Sequence, residues 1–501
     1  MSRARKKRSQ KVQKKIDANP IVWYTVFARK HTHTERICIM DSITQEKEES
    51  KSTAKKILGF FKRFRIGEIL RESNAYKEQG IAVVEIVLYL FQLVFRNRSM
   101  YEDMRTSKKA GFGKDTVYRL RNSIHINWLK FTTLLSARII RETIDPLCDK
   151  TRRDVFIVDD SIFERGRSCV VELLARVFDH AHHRWIRGFR MLTLGWSDGV
   201  SFLPINCALL STENPKNRYT EAKDVPTNSN GASRRKLAQS KATDVVLTLI
   251  AVAQKAGIHA KYVLFDSWFT SPKMILALKK MGLDTVAMAK KTDKMHFYYQ
   301  GTPLSDKAIY QRNKKRCGRA KYLLSVPVEV VGEGEDRIPA RLVYVRNRNK
   351  RTEYLVLVCT DMDLSEQDII ALYGKRWDIE VFFKTCKSLL NLTHECRSIS
   401  YDAMCSQTAI VFARYLFFAV AIREEQDNRS IGPLFCLICD EIPDVSFVDA
   451  FEKLQLFLEK LSDLINDSNL DISSCIQAFL ADLPDDLAHL LAPSCLKFVP
   501  S

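Results

Sequence analysis

Three carboxylates occupy positions in the sequence from which they could act together on metal ions. Asp159 lies at the end of the β-branched run FIVDD, Asp266 ends a second run, YVLFD, and Glu380 lies in a predicted helix. In open α/β sheets, ligands bind outside the carboxyl ends of the strands. Carboxylate oxygens suit Mg²⁺ and Mn²⁺, and a pair of such ions promotes phosphoryl transfer. The acids therefore predict a site for two ions, Mg²⁺ or Mn²⁺.

The predicted helix that carries Glu380, YGKRWDIEVFFKTCK over residues 373–387, has an unusual distribution of polar side chains. Tyr373, Arg376, Glu380 and Lys387 share a stripe about 60° wide at helical periodicity, and apolar residues fill much of the remaining surface. A surface helix normally turns its polar face to water and its apolar stripe to the core. Together with the two strand-ending aspartates, this polar stripe indicates a buried active site.

Strand and helix patterns alternate around these acids, which predicts an α/β fold. The runs 154–160 and 262–268 are typical of buried strands, residues 188–210 of two strands about a Ser-Asp-Gly turn, and residues 242–257 of a helix. The predicted organisation has these segments: a basic, partly disordered start (1–60), a helical DNA-binding region (61–150), the first part of the catalytic domain (151–294), a β-rich insertion (295–361), its second part (362–400), and a helical end with possible dimerisation (401–501).

The overall charge favours a polyanionic partner. Lys and Arg number 79 against 59 Asp and Glu, a net charge of +20, which indicates nucleic acid before membrane. The apolar runs 81–95 and 409–422 contain Glu85 and Arg414 and are too short to span a bilayer, so they predict core helices. The 13 scattered cysteines are typical of free thiols in a reducing cytosol.

A candidate DNA-binding helix lies within residues 111–135. A glycine-containing turn precedes Asp115, a predicted N-cap, and the helix that follows carries Arg119 and Arg121. This pattern is typical of the entry to a recognition helix. A helical packing region with a solvated basic face explains it equally well.

The spacing Y-(2)-R-(3)-E-(6)-K, met by Tyr373, Arg376, Glu380 and Lys387, resembles the signature of DDE transposases of the insertion-sequence-4 family. The segments VDDSIFERGRS and VLFDSWFTSP are similar to that family's first and second acidic blocks, and a strand-rich insertion before the glutamate is a further shared trait. The resemblance covers roughly residues 150–400. The family commonly shows Asp-x-Ser/Thr at the first acid, which favours Asp159 over Asp160; adjacent strand residues face opposite sides, so only one should reach the metals.

The resemblance implies a ribonuclease H-like catalytic core with a β-rich insertion, flanked by helical N- and C-terminal regions. It implies a bacterial, cytoplasmic transposase that cleaves DNA and transfers strands at the ends of an insertion sequence. Asp159, Asp266 and Glu380 would be the catalytic metal ligands, and Tyr373, Arg376 and Lys387 would contact DNA.

The implied partners are double-stranded DNA, both terminal inverted repeats and target, and a second copy of the chain in a synaptic complex. A hairpin intermediate is a family trait and does not follow from these residues. Two alternatives stay open at this stage. One is a ribonuclease H-like nuclease that cuts without joining, and the other is a retired, transposase-derived DNA-binding protein.

Overall fold

The structure, a computed structural model, describes residues 55–424 except 97–98, 107–110, 149–151, 180–181, 293–294, 317–319, 333–335, 348–352 and 394. The described residues belong to one compact unit. The predictions made for residues 1–54 and 425–501, a disordered start and a dimerisation region, lie outside the described residues.

The amino-terminal part of the described chain is helical, as the sequence predicted. A helix over residues 55–63 is followed by α1 (Ile66–Glu72), α2 (Val83–Gln92), α3 (Met100–Thr106), α4 (Lys114–Arg121) and α5 (Trp128–Ile139). Helix α4 begins after Gly113 without a side-chain cap, so the N-cap predicted at Asp115 is wrong, and Asp115 lies in the first turn. The sequence pattern placed the cap two residues late because Gly113 has no side chain to mark it.

One mixed sheet dominates the rest of the described chain. Its strands are β1 (Val155–Glu164), β2 (Ala175–Asp179), β3 (Arg184–Ser197), β4 (Phe202–Leu210), β5 (Tyr262–Phe265), β6 (Asp284–Met288), β7 (Phe297–Tyr299), β8 (Thr302–Leu304), β9 (Leu324–Val331), β10 (Arg337–Arg346) and β11 (Tyr354–Cys359). The order across the sheet is β2-β3-β1-β5-β6-β11-β10-β9-β7-β8, and β4 also pairs with β3.

The centre of the sheet holds three parallel strands. Strands β1, β5 and β6 are parallel, whereas β3 runs antiparallel to β1 and forms a hairpin with β4. The turn of that hairpin was predicted correctly: the Asp198 carboxylate accepts hydrogen bonds from the backbone N–H groups of Val200 and Ser201. Gly199 has a φ of +97°, a conformation that favours glycine.

The β-rich insertion predicted over residues 295–361 continues the same sheet. Strand β11 pairs antiparallel with β6, and β10, β9, β7 and β8 follow towards the edge. The Tyr262 hydroxyl on β5 donates to Asp361, just beyond β11, at 2.8 Å. The insertion also contains a helix, α9 (Asp306–Arg312), begun by a Ser305 cap. The prediction of a β-rich insertion did not include this helix.

Helices cover the sheet and close the chain: α6 (Asn230–Ala238), α7 (Ala242–Lys255), α8 (Pro272–Lys280), α10 (Glu366–Gly374), α11 (Trp377–Ser388) and α12 (Tyr401–Glu424). Helix α6 lies in the segment between β4 and α7. Its Arg235 is buried and binds the carboxylates of Glu172 and Asp402. This basic residue is therefore part of the core.

Helix α12 crosses the interior of the unit. By length and composition it could span a membrane, but 83% of its most apolar window is buried inside the protein. Arg414, with no exposed surface, donates to the carbonyl oxygens of Phe91 and Leu390 and to the Glu395 carboxylate, at 3.0, 3.1 and 2.6 Å. The core helix predicted from the run 409–422 is thus observed, and its one charge is paired.

Candidate active site

Asp159 and Asp266 lie side by side at the centre of the sheet. Strand β1 continues past Asp159 to Glu164 through its pairing with β3, so the strand end predicted at this acid is wrong, whereas Asp266 does follow the end of β5. The parallel pairing of β1 with β5 matches Val158 to Phe265, so the next residues along the two strands are Asp159 and Asp266. Paired strands lie about 4.8 Å apart, and residues in register point to the same face. The four residues before each aspartate are buried, which fixes these strands in the core and leaves the acids at its border.

Glu380 reaches this border from a helix that differs from the predicted one. The sequence predicted a continuous helix over 373–387, but α10 ends at Gly374 and α11 begins at Trp377, with Lys375 and Arg376 between them. The Lys375 ammonium group donates to the backbone oxygen atoms of Arg153 and Asp198. These contacts hold the junction against the β3–β4 turn, an influence that periodicity along the segment could not reveal.

Arg376, at the junction between the helices, joins two of the three acids. Its Nη1 atom donates to the Asp159 carboxylate at 3.1 Å, and its Nη2 atom donates to Glu380. The sequence predicted that Arg376 would contact DNA phosphates. In the structure both of its terminal nitrogen atoms are bound to carboxylates, because two buried negative groups need a nearby positive charge.

The three predicted acids do not form a closed metal cage in this arrangement. Within the described residues, no three Asp, Glu, His or Cys side chains lie close enough together to hold one ion. The guanidinium of Arg376 binds one oxygen of Asp159 and one of Glu380. Convergence of all three carboxylates on shared ions stays a prediction.

The electrostatics of Asp159 nevertheless suit a cation. The pKa of the Asp159 carboxyl is raised to about 7, chiefly by burial; the neighbouring carboxylates of Asp160 and Asp266 act in the same direction, and Arg376 opposes them. An acid whose charged form is disfavoured by burial and by like charges gains stability when a positive ion binds. The donors are carboxylate oxygens, the type that hard divalent cations take. The residues present therefore fit Mg²⁺ or Mn²⁺ in kind and in charge.

The pH dependence of stability tests this environment. The carboxyl of Asp159 titrates near pH 4 in the unfolded chain and near 7 in the folded one, so the folded state retains a proton between these values. Stability from this group is present at low pH and is lost as pH rises towards 7. We expect the unfolding free energy of wild type, relative to Asp159→Asn, to fall by on the order of 2 kcal/mol from pH 5 to pH 7. Parallel stability curves in urea titrations at these pH values would contradict the assignment.

Tyr373, from the last turn of α10, presents a buried hydroxyl. Among the described residues, its oxygen has no hydrogen-bond partner. The pKa of this phenol is raised to about 12, chiefly by burial; Arg376 opposes the shift, and the charges of Asp266 and Asp159 contribute to it. The hydroxyl is therefore a neutral donor beside the acids. An unpaired buried donor is uncommon in a native structure. It marks a place where an oxygen atom of a ligand could accept a hydrogen bond from the hydroxyl.

Lys387 reaches the same face of β1 as Asp159. Its ammonium group donates to the Ser161 hydroxyl at 2.7 Å, and burial lowers its pKa. Ser161 and Asp159 are two residues apart on one strand, so they share a face. The sequence reasoning missed Ser161 as a site residue, although the Asp-x-Ser pattern contained it. The pattern was used only to choose between the two aspartates.

Asp160 has a different environment. Its carboxylate accepts from the Arg190 Nε atom on β3, whereas Asp159 binds Arg376. The alternation of side chains along a strand places these two acids on opposite faces. Asp159 is therefore the acid on the α11 face, where Arg376 and Glu380 lie.

The two arginines predicted to contact DNA from α4 have separate positions. Arg119 is exposed, and its Nε atom donates to the Asp115 carbonyl at 3.4 Å. Arg121 is 4% exposed and binds the side chains of Glu395 and Gln407. The prediction of a DNA contact for Arg121 does not fit this position, because binding to DNA would leave Glu395 and Gln407 without this partner in the core.

A comparison with protein families relates the chain to a known family. The sequence profile described as DDE superfamily endonuclease matches residues 85–351, a range that includes Asp159 and Asp266 and ends before Glu380. No curated protein is similar enough to the chain to count as a relative. Such a family implies a nuclease or transposase-type enzyme with DNA as substrate. Because the profile matches more than half of its length, the chain belongs to the DDE superfamily endonuclease family.

Proposed function

We propose that the protein is a transposase that cleaves DNA at the ends of an insertion sequence and transfers the cut strands. One observation carries the proposal: Arg376 joins Asp159, on the first acidic strand, to Glu380, on the helix with the Y-R-E-K spacing. Asp266 lies beside Asp159 on the next strand. The matched family range contains the two aspartates, and this contact adds the glutamate to them.

The strand order supports a ribonuclease H-like core. Strands β4, β3 and β1 are antiparallel neighbours, and β5 and β6 continue the sheet parallel to β1. Asp266 follows the carboxyl end of β5, where open α/β sheets bind ligands, and Asp159 lies beside it, at the point where the parallel pairing of β1 with β5 ends. This topology, the strand-rich insertion and the Y-R-E-K spacing together support membership of the insertion-sequence-4 group.

The side chains at this site have different roles. Asp159, Asp266 and Glu380 would hold Mg²⁺ or Mn²⁺, which would supply charge stabilisation and an activated oxygen nucleophile at neutral pH. The neutral hydroxyl of Tyr373 donates to a phosphate oxygen beside the acids. The Lys387 ammonium binds a further phosphate on the same face, held in place by Ser161.

The test uses DNA from the borders of the gene. Wild-type protein with Mg²⁺ or Mn²⁺ is given labelled duplexes of these borders and a supercoiled plasmid. We expect cuts that leave 3′-hydroxyl ends, followed by covalent joining of the labelled strand to the plasmid. Cuts without joined products would favour a nuclease that does not transfer strands. Binding without cuts in either metal would favour a retired DNA-binding protein, and both results would overturn the proposal.

A further inference from the structure

The indole of Trp268 is half exposed immediately after Asp266. Trp268 has 51% of its surface exposed, while Phe265 and Phe269 on either side of it in the chain are almost fully buried. The sequence could have placed this large side chain in the core with its neighbours. Its exposed position beside a catalytic-site acid needs an explanation other than packing.

Two cations lie against this one ring. The Arg190 Cζ atom is 4.9 Å from the ring centroid, and the Lys290 Nζ atom is 5.4 Å from it. Arg190 comes from β3, and Lys290 lies two residues beyond the end of β6. Three separate segments thus bring their side chains together at this end of the sheet. We call Arg190, Trp268 and Lys290 the tryptophan clamp.

The clamp has surplus positive charge. Asp160 binds Arg190 through the Nε atom only. Among the described residues, the terminal nitrogen atoms of Arg190 and the ammonium group of Lys290 have no hydrogen bond or ion pair. The cluster therefore has two cations, and one of them, Arg190, is paired with a carboxylate. An indole attracts cations through its ring face, so it holds two like charges near each other that would otherwise separate.

The clamp lies on the opposite face of β1 from the α11 cations. Arg190 is joined to Asp160, whereas Arg376 and Lys387 bind Asp159 and Ser161 on the other face. Asp159 and Asp266 are thus flanked by positive side chains on both faces of the sheet. Bound phosphates on the two faces would belong to different positions along the DNA.

We propose that the tryptophan clamp binds a backbone phosphate of DNA, separate from any phosphate bound by Arg376 and Lys387. Arg190 and Lys290 supply the positive charge and the hydrogen-bond donors, and both side chains are positioned by their contact with the Trp268 ring. Asp160 orients Arg190 through its Nε atom. The inference rests on the proposed function, because it takes DNA as the ligand.

The test measures the affinity of full-length protein for a fluorescein-labelled 40-base-pair duplex of arbitrary sequence between 50 and 300 mM NaCl. We expect Lys290→Met to weaken binding about three- to tenfold and to reduce the slope of log affinity against log salt by about 0.9, the value for one phosphate contact. Trp268→Leu should weaken binding without changing the slope, because both charges remain and only their placement is lost.

Matched controls separate this effect from general charge and general packing. Lys255→Met removes an exposed lysine at the carboxyl end of α7, in the segment that leads to the amino-terminal end of β5, whereas Asp266 follows the other end of that strand. Trp185→Leu removes another exposed tryptophan, which has Arg176 against its ring. Both should leave affinity and slope within twofold of wild type, and thermal unfolding should show that every variant is folded.

The outcomes distinguish the two proposals. If the wild-type protein binds DNA and Lys290→Met binds it with the same affinity and the same salt dependence, the clamp is overturned and the proposed function is unaffected. Equal effects of Lys290→Met and Lys255→Met would also overturn it. Absence of DNA binding by wild type would overturn the proposed function and the clamp together. Combined Lys290→Met and Lys387→Met should give additive losses in log affinity, as expected for independent contacts.

Discussion

Glu380→Gln is expected to abolish DNA cleavage, by at least about 10³-fold, while leaving DNA affinity close to wild type. Glutamine keeps the shape of the side chain and an oxygen that accepts from Arg376, but it loses the negative charge that a divalent cation requires. Cleavage of the border duplexes and affinity for them are both measured for wild type and for Glu380→Gln. The melting temperature of wild type should rise with millimolar Mn²⁺, and that of Glu380→Gln should rise less.

The control for this variant is Glu366→Gln. Glu366, in the first turn of α10, is also paired with an arginine, Arg341, at 2.9 Å, and it lies outside the acid group. We expect full cleavage from it. Near-wild-type cleavage by Glu380→Gln would show that Glu380 is not part of the active site.

Lys387→Ala should show the opposite behaviour. Lys387 binds Ser161, and no contact joins it to Glu380 in the described residues, so its loss should weaken DNA engagement and leave the Mn²⁺-dependent rise in melting temperature nearly intact. If Lys387→Ala cleaves and binds DNA normally while Glu380→Gln is inactive, the result would support the role of Glu380 and contradict a phosphate contact by Lys387.

Arg414→Ala is expected to lower the free energy of unfolding by about 3–5 kcal/mol. Its guanidinium binds backbone carbonyls of α2 and of the segment after α11, together with Glu395, all inside the core. Removing it leaves these acceptors buried without their donor and opens a cavity in α12. Urea denaturation followed by tryptophan fluorescence measures the change.

Arg63→Ala provides the comparison for Arg414. Arg63 pairs with Glu424, and their side chains are 42% and 35% exposed. An exposed pair contributes roughly 0–1 kcal/mol because water screens it. A loss for Arg414→Ala no larger than for Arg63→Ala would show that the core tolerates the missing charge.

The parts of the fold that follow from neighbouring residues were predictable from the sequence. Strands β1 and β5, with an aspartate at or just beyond the end of each buried run, follow from β-branched residues, and the β3–β4 hairpin follows from Asp198 and Gly199 in its turn. Helix α8 begins at Pro272, after a side-chain cap from Ser271, so its start is also marked by neighbouring residues. In each case the signal lies within a few residues of the element, so no distant contact is needed to read it.

The errors arise where distant residues decide the outcome. Arg121 looked like a surface cation, but its partner Glu395 is 274 residues further along the chain. The break between α10 and α11 depends on contacts of Lys375 with Arg153 and Asp198, which periodicity does not encode. The pairing of Arg376 with two acids was missed for a related reason: one of those acids, Asp159, is 217 residues away.

The continuous ladder from β6 through β11 into the insertion has a mechanical consequence. Hydrogen bonds between β6 and β11, and the contact of Tyr262 with Asp361, tie the insertion to the strands that carry the acids. A sheet joined in this way moves as one rigid body, because swinging the insertion would break a row of buried hydrogen bonds. DNA that touches both the insertion and the acids must therefore bend to fit the protein. Sequences that bend at low energetic cost would then be preferred, even at bases that no side chain contacts.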